Sequence, residues 1–162
     1  MISLLVMSLV TSAAFAENYR IGFVNATRVF EESPQYKEAR DRLQNEFSRR
    51  EKELLSSQKQ LQQLEEKLQR DGAVMSEDEV KRLERDILSR SRRLKNSQTA
   101  FREDLNLRQN EEFKKLRTQI REVIQEVGKA EKMDLVVSDG VVYYSDRIDI
   151  SDLVLKKLKQ KR

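Results

Sequence analysis

The side chains able to do chemistry in this 162-residue chain are nearly all of two kinds, 32 Lys and Arg and 28 Asp and Glu, and neither His nor Cys occurs. Without an imidazole or a thiol there is no Ser-His-Asp triad, no Cys nucleophile and no zinc site of the thiolate or imidazole kind. Neither GxGxxG nor GxxxxGK[ST] appears, so no loop is built to cradle phosphates. The acids alternate with bases along helical stretches instead of standing apart in a catalytic pair. The chain is therefore read as a non-enzyme with no cofactor and no metal.

What the charged residues offer is attraction of anions. From Ile87 to Arg102 the sequence contains Arg90, Arg92, Arg93, Lys95 and Arg102 and no acid, against a net charge of +4 for the whole chain. Such a stretch draws an acidic unfolded polypeptide or an anionic membrane surface, and more strongly at low salt. Arg85, Arg90, Arg92, Arg93 and Lys95, with Met75 nearby, are the candidate contact residues for a client polypeptide. Leu55 and Leu88 are apolar positions that could add weak contacts or simply cover an edge. A solvated helix face is the plain alternative for any charge run.

These residues need long elements to carry them. The charged fraction is 37%, against about 25% in an ordinary globular domain, and there are only four Gly and one Pro. Turns are few, so helices are long. From Tyr36 the apolar residues fall at Tyr36, Leu43, Phe47, Leu54, Leu61, Leu64 and Leu68, in steps of three and four that define a coiled-coil seam. Ser33-Pro34 supplies the start, Ser as N-cap and Pro at the first helical position. Asp71-Gly72 supplies the end, with Gly72 suited to a left-handed C′ residue. Ser76-Glu77-Asp78-Glu79 is a capping box, with Met75 and Val80 spaced as a hydrophobic staple.

The second helix carries Val80, Leu83, Ile87, Leu94, Phe101 and Leu105, and after a break Phe113, Leu116, Ile120, Val123, Val127 and Ala130. Folding it back pairs Leu68 with Val80, Leu61 with Ile87, Leu54 with Leu94, Phe47 with Phe101 and Leu43 with Leu105. The two patterns share one antiparallel register, which predicts a hairpin arm roughly 50 Å long. Polar seam positions Arg40, Arg50 and Ser57 face Arg108, Gln98 or Ser97, and Ser91 or Arg90. They thin the seam and favour bending.

The rest is small. Residues 1–16 carry no charged side chain and end in Ala14-Phe15-Ala16, the mark of an export signal cleaved near Ala16-Glu17, although a basic start is missing. Export removes nucleic acid from the partners and ATP from the surroundings. Tyr19 to Val24 reads as a strand and Asn25 to Glu32 as a short helix. Asp139-Gly140 between Asp134–Ser138 and Val141–Tyr144 reads as a two-residue β-hairpin. Asp149 to Lys159 reads as a helix capped by Asp149 or Ser151, with Ile150, Leu153, Val154 and Leu158 inward. The expected organisation is a signal peptide at 1–16, a β/α oligomerisation body from 17–32 and 113–162, and an arm at 33–112 with its tip at 72–76. A three-stranded body has open edges and little core, and identical copies would close it. Candidate self-association residues are Ile21, Phe23, Val24, Leu135, Val136, Val137, Val142 and Tyr144.

With these elements in place the sequence resembles the Skp/OmpH family of periplasmic chaperones over essentially the whole mature chain. The resemblance is carried by Arg20-Ile21-Gly22-Phe23-Val24-Asn25, by Leu83-Glu84-Arg85-Asp86-Ile87, by Asp134-Leu135-Val136-Val137 through Tyr144, and by Asp149-Ile150-Ser151 leading into Val154-Leu155-Lys156. It implies an α+β, mostly α fold, with a long antiparallel coiled-coil hairpin on a small three-stranded body that forms a shared barrel in a homotrimer. It implies an ATP-independent holdase in the periplasm of a Gram-negative bacterium, holding unfolded outer-membrane β-barrel proteins. A lipopolysaccharide-binding basic motif proposed for some members does not carry over, because Ser97 and Leu107 stand where it needs basic residues and only Arg108 matches. The alternative from another class is a structural or adaptor coiled coil of the cell envelope without chaperone activity.

Overall fold

The computed structural model describes residues 19–161; the export signal expected at 1–16 lies outside them. The chain runs through strand β1 (Ile21–Phe23), helix α1 (Ala26–Glu32), helix α2 (Pro34–Asp71), helix α3 (Glu77–Ala130), strand β2 (Leu135–Val137) and helix α4 (Ser151–Gln160). Short 3-10 turns occupy Gly72–Val74 and Asp146–Ile148.

Local chemistry sets the helix starts. The Ser33 side chain accepts from the Tyr36 N–H, and Pro34 opens α2. At the arm tip Ser76 Oγ accepts from Glu79 N–H, and the Glu79 carboxylate accepts from Ser76 N–H at 2.9 Å, so the capping box is complete. Asn25 caps α1 by accepting from Arg28 N–H at 2.9 Å. α4 lacks a side-chain cap from its flanking residue Ile150, but the Asp149 carboxylate accepts from Ser151 N–H at 2.8 Å and supplies one.

α2 and α3 form the antiparallel hairpin, 38 and 54 residues long. Phe47 meets Phe101 edge-to-face, with centroids 5.6 Å apart, in the register set by the two apolar patterns. At the arm root Phe30, Tyr36 and Phe113 form an aromatic triangle with centroids 5.1 to 5.5 Å apart. Beyond it α3 outruns α2 and its last turns enter the core. Val24, Val29, Leu116, Ile120, Val123, Val127, Ile150, Val154, Leu155 and Leu158 make up that core.

The sheet has two strands among the described residues. β1 pairs parallel with β2, Ile21 with Leu135 and Phe23 with Val137, so the whole arm is the crossover between them. Ile150 N–H bonds Phe23 O at 2.9 Å on the other edge of β1. Gly22 permits that approach, since a Cβ there would meet Ile150 Cδ1 at 3.0 Å.

Four expectations need correction. The β-hairpin does not form: Asp139 and Gly140 do turn, with Gly140 at φ +79°, but 141–144 is not a strand. β1 already bonds β2 and Ile150, and Tyr144 instead stacks on Phe23 with ring centroids 3.7 Å apart. The body of one chain is thus two-stranded, with Leu135 and Ile21 exposed. Gly72 is not left-handed: at φ −56° and ψ −35° it continues into the 3-10 turn, and extended Met75 makes the reversal. In α4, Leu155 is buried where Leu153 was expected, because Leu153 lies on the open side of the helix. Ala130, at the end of α3, is exposed beyond the point where α4 covers the seam.

Candidate functional site

The arm is where the candidate contact residues lie. Its root buries Ala39, Leu43 and Phe47 on α2. From Leu54 outward only Leu61 is buried on either helix, and Leu54, Leu64, Leu68, Leu83, Ile87 and Leu94 are all half-exposed. Between the helices a cleft of about 590 Å³ opens, with Leu54, Leu94 and Phe101 on its floor and Arg50, Arg90 and Arg93 at its rim. Ser57 and Ser97 line it as well, two small polar residues at a level where a coiled coil would place apolar ones. Ser57 spends its hydroxyl on the Glu53 carbonyl, 2.8 Å away.

The basic stretch divides. Arg90 is half-buried and pairs with Asp86 one turn back, both Nε contacts at 3.0 Å. Arg85, Arg92, Arg93 and Lys95 are exposed, and among the described residues none makes an ion pair within the chain. Arg92, Arg93 and Lys95 therefore add positive charge with no carboxylate at ion-pair distance; the nearby cleft residue Glu53 pairs with Arg49. Met75 is half-buried at the tip beside Val74, which is 87% exposed. Leu55, Leu88 and Leu107 leave more than half their surface in solvent.

The polar seam positions found partners other than those expected. Arg50 reaches Asp104 at 2.8 Å, and its guanidinium lies 5.6 and 5.7 Å from the Phe47 and Phe101 ring centres. Arg40 lies over the Tyr36 ring, and Arg108 holds Glu46 through two nitrogens at 3.2 and 3.3 Å. Arg42 reaches Glu112 at 2.7 Å. Hydrogen bonds from Arg42, then Lys115, hold the Glu112 carboxyl below the ordinary glutamate range, and those from Arg108 to Glu46 and Glu111 raise its guanidinium. Sequence reasoning missed these interhelical pairs. The signal was present: Arg42, Glu46 and Arg50 recur every four residues, facing Glu112, Arg108 and Asp104 with opposite charge.

In the body, Phe23 and Val24 are buried inside the chain's own core, and Val136 and Val137 are half-buried. Ile21, Leu135, Val142 and Tyr143 present apolar surface, Val142 and Tyr143 almost completely, while Tyr144 is half-covered against Phe23. Among the described residues no cluster of acids could hold a metal ion, and no helix is long and apolar enough to cross a membrane.

A two-helix arm rooted in a small α/β body is the architecture of a known class. Residues 20–158 match the family described as outer membrane protein (OmpH-like). The chain is 32% identical over 152 residues to chaperone protein Skp of Pectobacterium atrosepticum, covering 93% of this chain and 92% of that one. It is 38% identical over 154 residues to chaperone protein Skp of Yersinia pseudotuberculosis, covering 94% and 93%. The OmpH-like structure from Caulobacter crescentus superposes with a TM-score of 0.77 at 14% identity, over 89% of this chain and 86% of that one, and so shares the fold. The chain belongs to the OmpH-like family.

Proposed function

We propose that this protein is an ATP-independent holdase of the periplasm that binds unfolded outer-membrane proteins and keeps them from aggregating on the way to the outer membrane. The observation that carries the reading is the distal arm, a largely accessible surface in which exposed Leu55 and Leu88 stand among unpaired Arg92, Arg93 and Lys95. Weak apolar and electrostatic contacts repeated along such a surface hold a chain without a fixed pocket, and their combined avidity exceeds any one of them. Membership of a family whose relatives are named chaperone protein Skp supports it.

A homotrimer is part of the proposal. Ile21 and Leu135, which pair across the two-stranded sheet, and Val142 and Tyr143 in the segment that follows it expose apolar area that a closed assembly would cover. Several arms around one body would enclose a client, and the same basic surface would approach an anionic membrane.

The test is an aggregation assay. An unfolded β-barrel outer-membrane protein is diluted from urea, without nucleotide, into the purified protein at one assembly per client. Suppressed light scattering is expected, with a native mass of three chains. A folded, assembled protein that leaves scattering unchanged would favour the structural or adaptor coiled coil.

A further inference from the structure

The cleft between the helices of the outer arm, about 590 Å³, has two kinds of wall. Leu54, Leu94 and Phe101 give it an apolar floor, and each is half-exposed although it stands on the seam. The gap exists because Ser57 and Ser97 occupy a level where larger apolar side chains would close a coiled coil. Three guanidiniums, those of Arg50, Arg90 and Arg93, stand at the rim beside one carboxylate, Glu53. Their states differ. Arg50 is held by Asp104, Arg90 by Asp86, and Glu53 by Arg49, which is not part of the lining. Among the described residues Arg93 makes no ion pair and Ser97 no hydrogen bond. An apolar slot is thus left with one uncommitted cation and one uncommitted hydroxyl. Both are on α3, four residues apart, and so share one face of it.

We propose that this cleft is a docking subsite for a client segment in which an aromatic side chain stands next to a carboxylate side chain. The proposal rests on the holdase reading above and adds one preferred stop to an otherwise unspecific surface. The aromatic ring lies on Leu54, Leu94 and Phe101 and covers apolar area that the arm itself leaves in water. The carboxylate takes the free Arg93 guanidinium, with the Ser97 hydroxyl as a second donor. Charge selects the occupant. Every other charged group at the rim is paired, so the one left over is positive. It draws a carboxylate and repels a client's lysine or arginine. One such contact is weak, and its repetition on each arm of an assembly would raise the combined affinity.

The chain contains no Trp, so a tryptophan in a ligand reports its own surroundings. The probes are two Gly-Ser-rich peptides, one with Trp-Glu at its centre and one with Trp-Gln, titrated with the full-length assembled protein at physiological salt. Trp-Glu should give a saturable blue shift and bind at least about fivefold more tightly than Trp-Gln, since a charge-assisted hydrogen bond is roughly twice as strong as a neutral one. Ser57→Leu with Ser97→Leu, which fills the cleft, should weaken both peptides at least about fivefold by removing the apolar slot. Arg93→Gln should abolish the preference for Trp-Glu. Arg92→Gln, which removes the same charge outside the lining, should keep it, because the general field is screened over about 8 Å. Circular dichroism would establish that each variant keeps its helix content. Equal affinity for the two peptides, binding unmoved by the paired leucines, or equal losses from Arg92→Gln and Arg93→Gln would each overturn the subsite. Aggregation of a full-length unfolded client, measured on the same samples, reads holdase activity separately. A parent protein that protects the client and fails any of the peptide tests keeps that activity and loses the subsite.

Discussion

Ser151 is fully buried, and its hydroxyl oxygen accepts from the Asn25 backbone N–H at 2.9 Å, joining the start of α1 to the start of α4 across 126 residues of chain. Ser151→Ala removes the acceptor and leaves that part-buried N–H without its partner. The cost should be about 1–3 kcal/mol, the desolvation penalty of an unpaired group, read as a lower midpoint in chemical denaturation at fixed protein concentration. Gly72 gives the opposite expectation. Its backbone is right-handed helical, and an added Cβ would meet Leu68 Cδ1 at an ordinary 3.6 Å. Gly72→Ala should therefore be neutral or stabilising by roughly 0.4–1 kcal/mol through lost freedom of the unfolded chain. A clear drop in melting temperature would show that the tip samples the left-handed conformation that Asp-Gly suggested. At Gly22 an added Cβ would lie 3.0 Å from Ile150 Cδ1, so that side chain would have to yield by a few tenths of an ångström.

At the scale of elements the arm root responds to acid. Glu112 sits with only 11% of its side chain exposed between Arg42 and Lys115, which lower its pKa from the ordinary 4.5. The stability it lends is complete above that value and is lost as the pH falls through the depressed one. Glu112→Gln should cost stability at pH 7 and flatten the acid limb of the melting curve between about pH 5 and the depressed value. Parallel limbs for parent and variant would place the acid sensitivity elsewhere. The helices themselves were legible because their signals are local: Ser33-Pro34 and the Ser76 to Glu79 box need no distant partner, and the seam register followed from counting. The segment after Gly140 departs from the strand its sequence predicts because turn chemistry is local while strand pairing is not. Asp139-Gly140 satisfies the hairpin pattern, yet the edges of β1 are taken by β2 and Ile150, and Tyr144 goes to the Phe23 ring. The interhelical ion pairs are less legible, because charges recur on every exposed face of both helices whereas the apolar residues mark a single seam. The proposed contact residues of the distal arm stand out in the sequence as a run without acids, but that Asp86 withdraws Arg90 from it depends on rotamers no spacing rule supplies.

For the whole molecule the question is where its positive charge acts. The formal excess is +4, and many charges pair along and between the helices, as Arg42 with Glu112 and Glu46 with Arg108 do at the arm root. Arg92, Arg93 and Lys95 stay uncancelled on the outer arm, where a long-range field meets an approaching chain first. A field of that kind raises encounter rate and is screened over about 8 Å at physiological salt. Reversing Arg90, Arg92 and Arg93 to Glu should slow capture of an acidic unfolded client, by about tenfold or more at low ionic strength, and flatten the dependence of the rate on salt. Parent and variant should converge as salt rises, since the apolar contacts proposed for Leu55 and Leu88 remain. Stopped-flow fluorescence of a labelled client, with light scattering alongside, reads both rate and final protection. Because Arg90 also holds Asp86, a double variant of Arg92 and Arg93 alone separates field from fold: it should reproduce most of the rate loss with an unchanged melting temperature. Capture that is equally fast in all three proteins and equally sensitive to salt would mean that the outer arm's basic face is only solvated surface, and that clients are held by apolar contact alone.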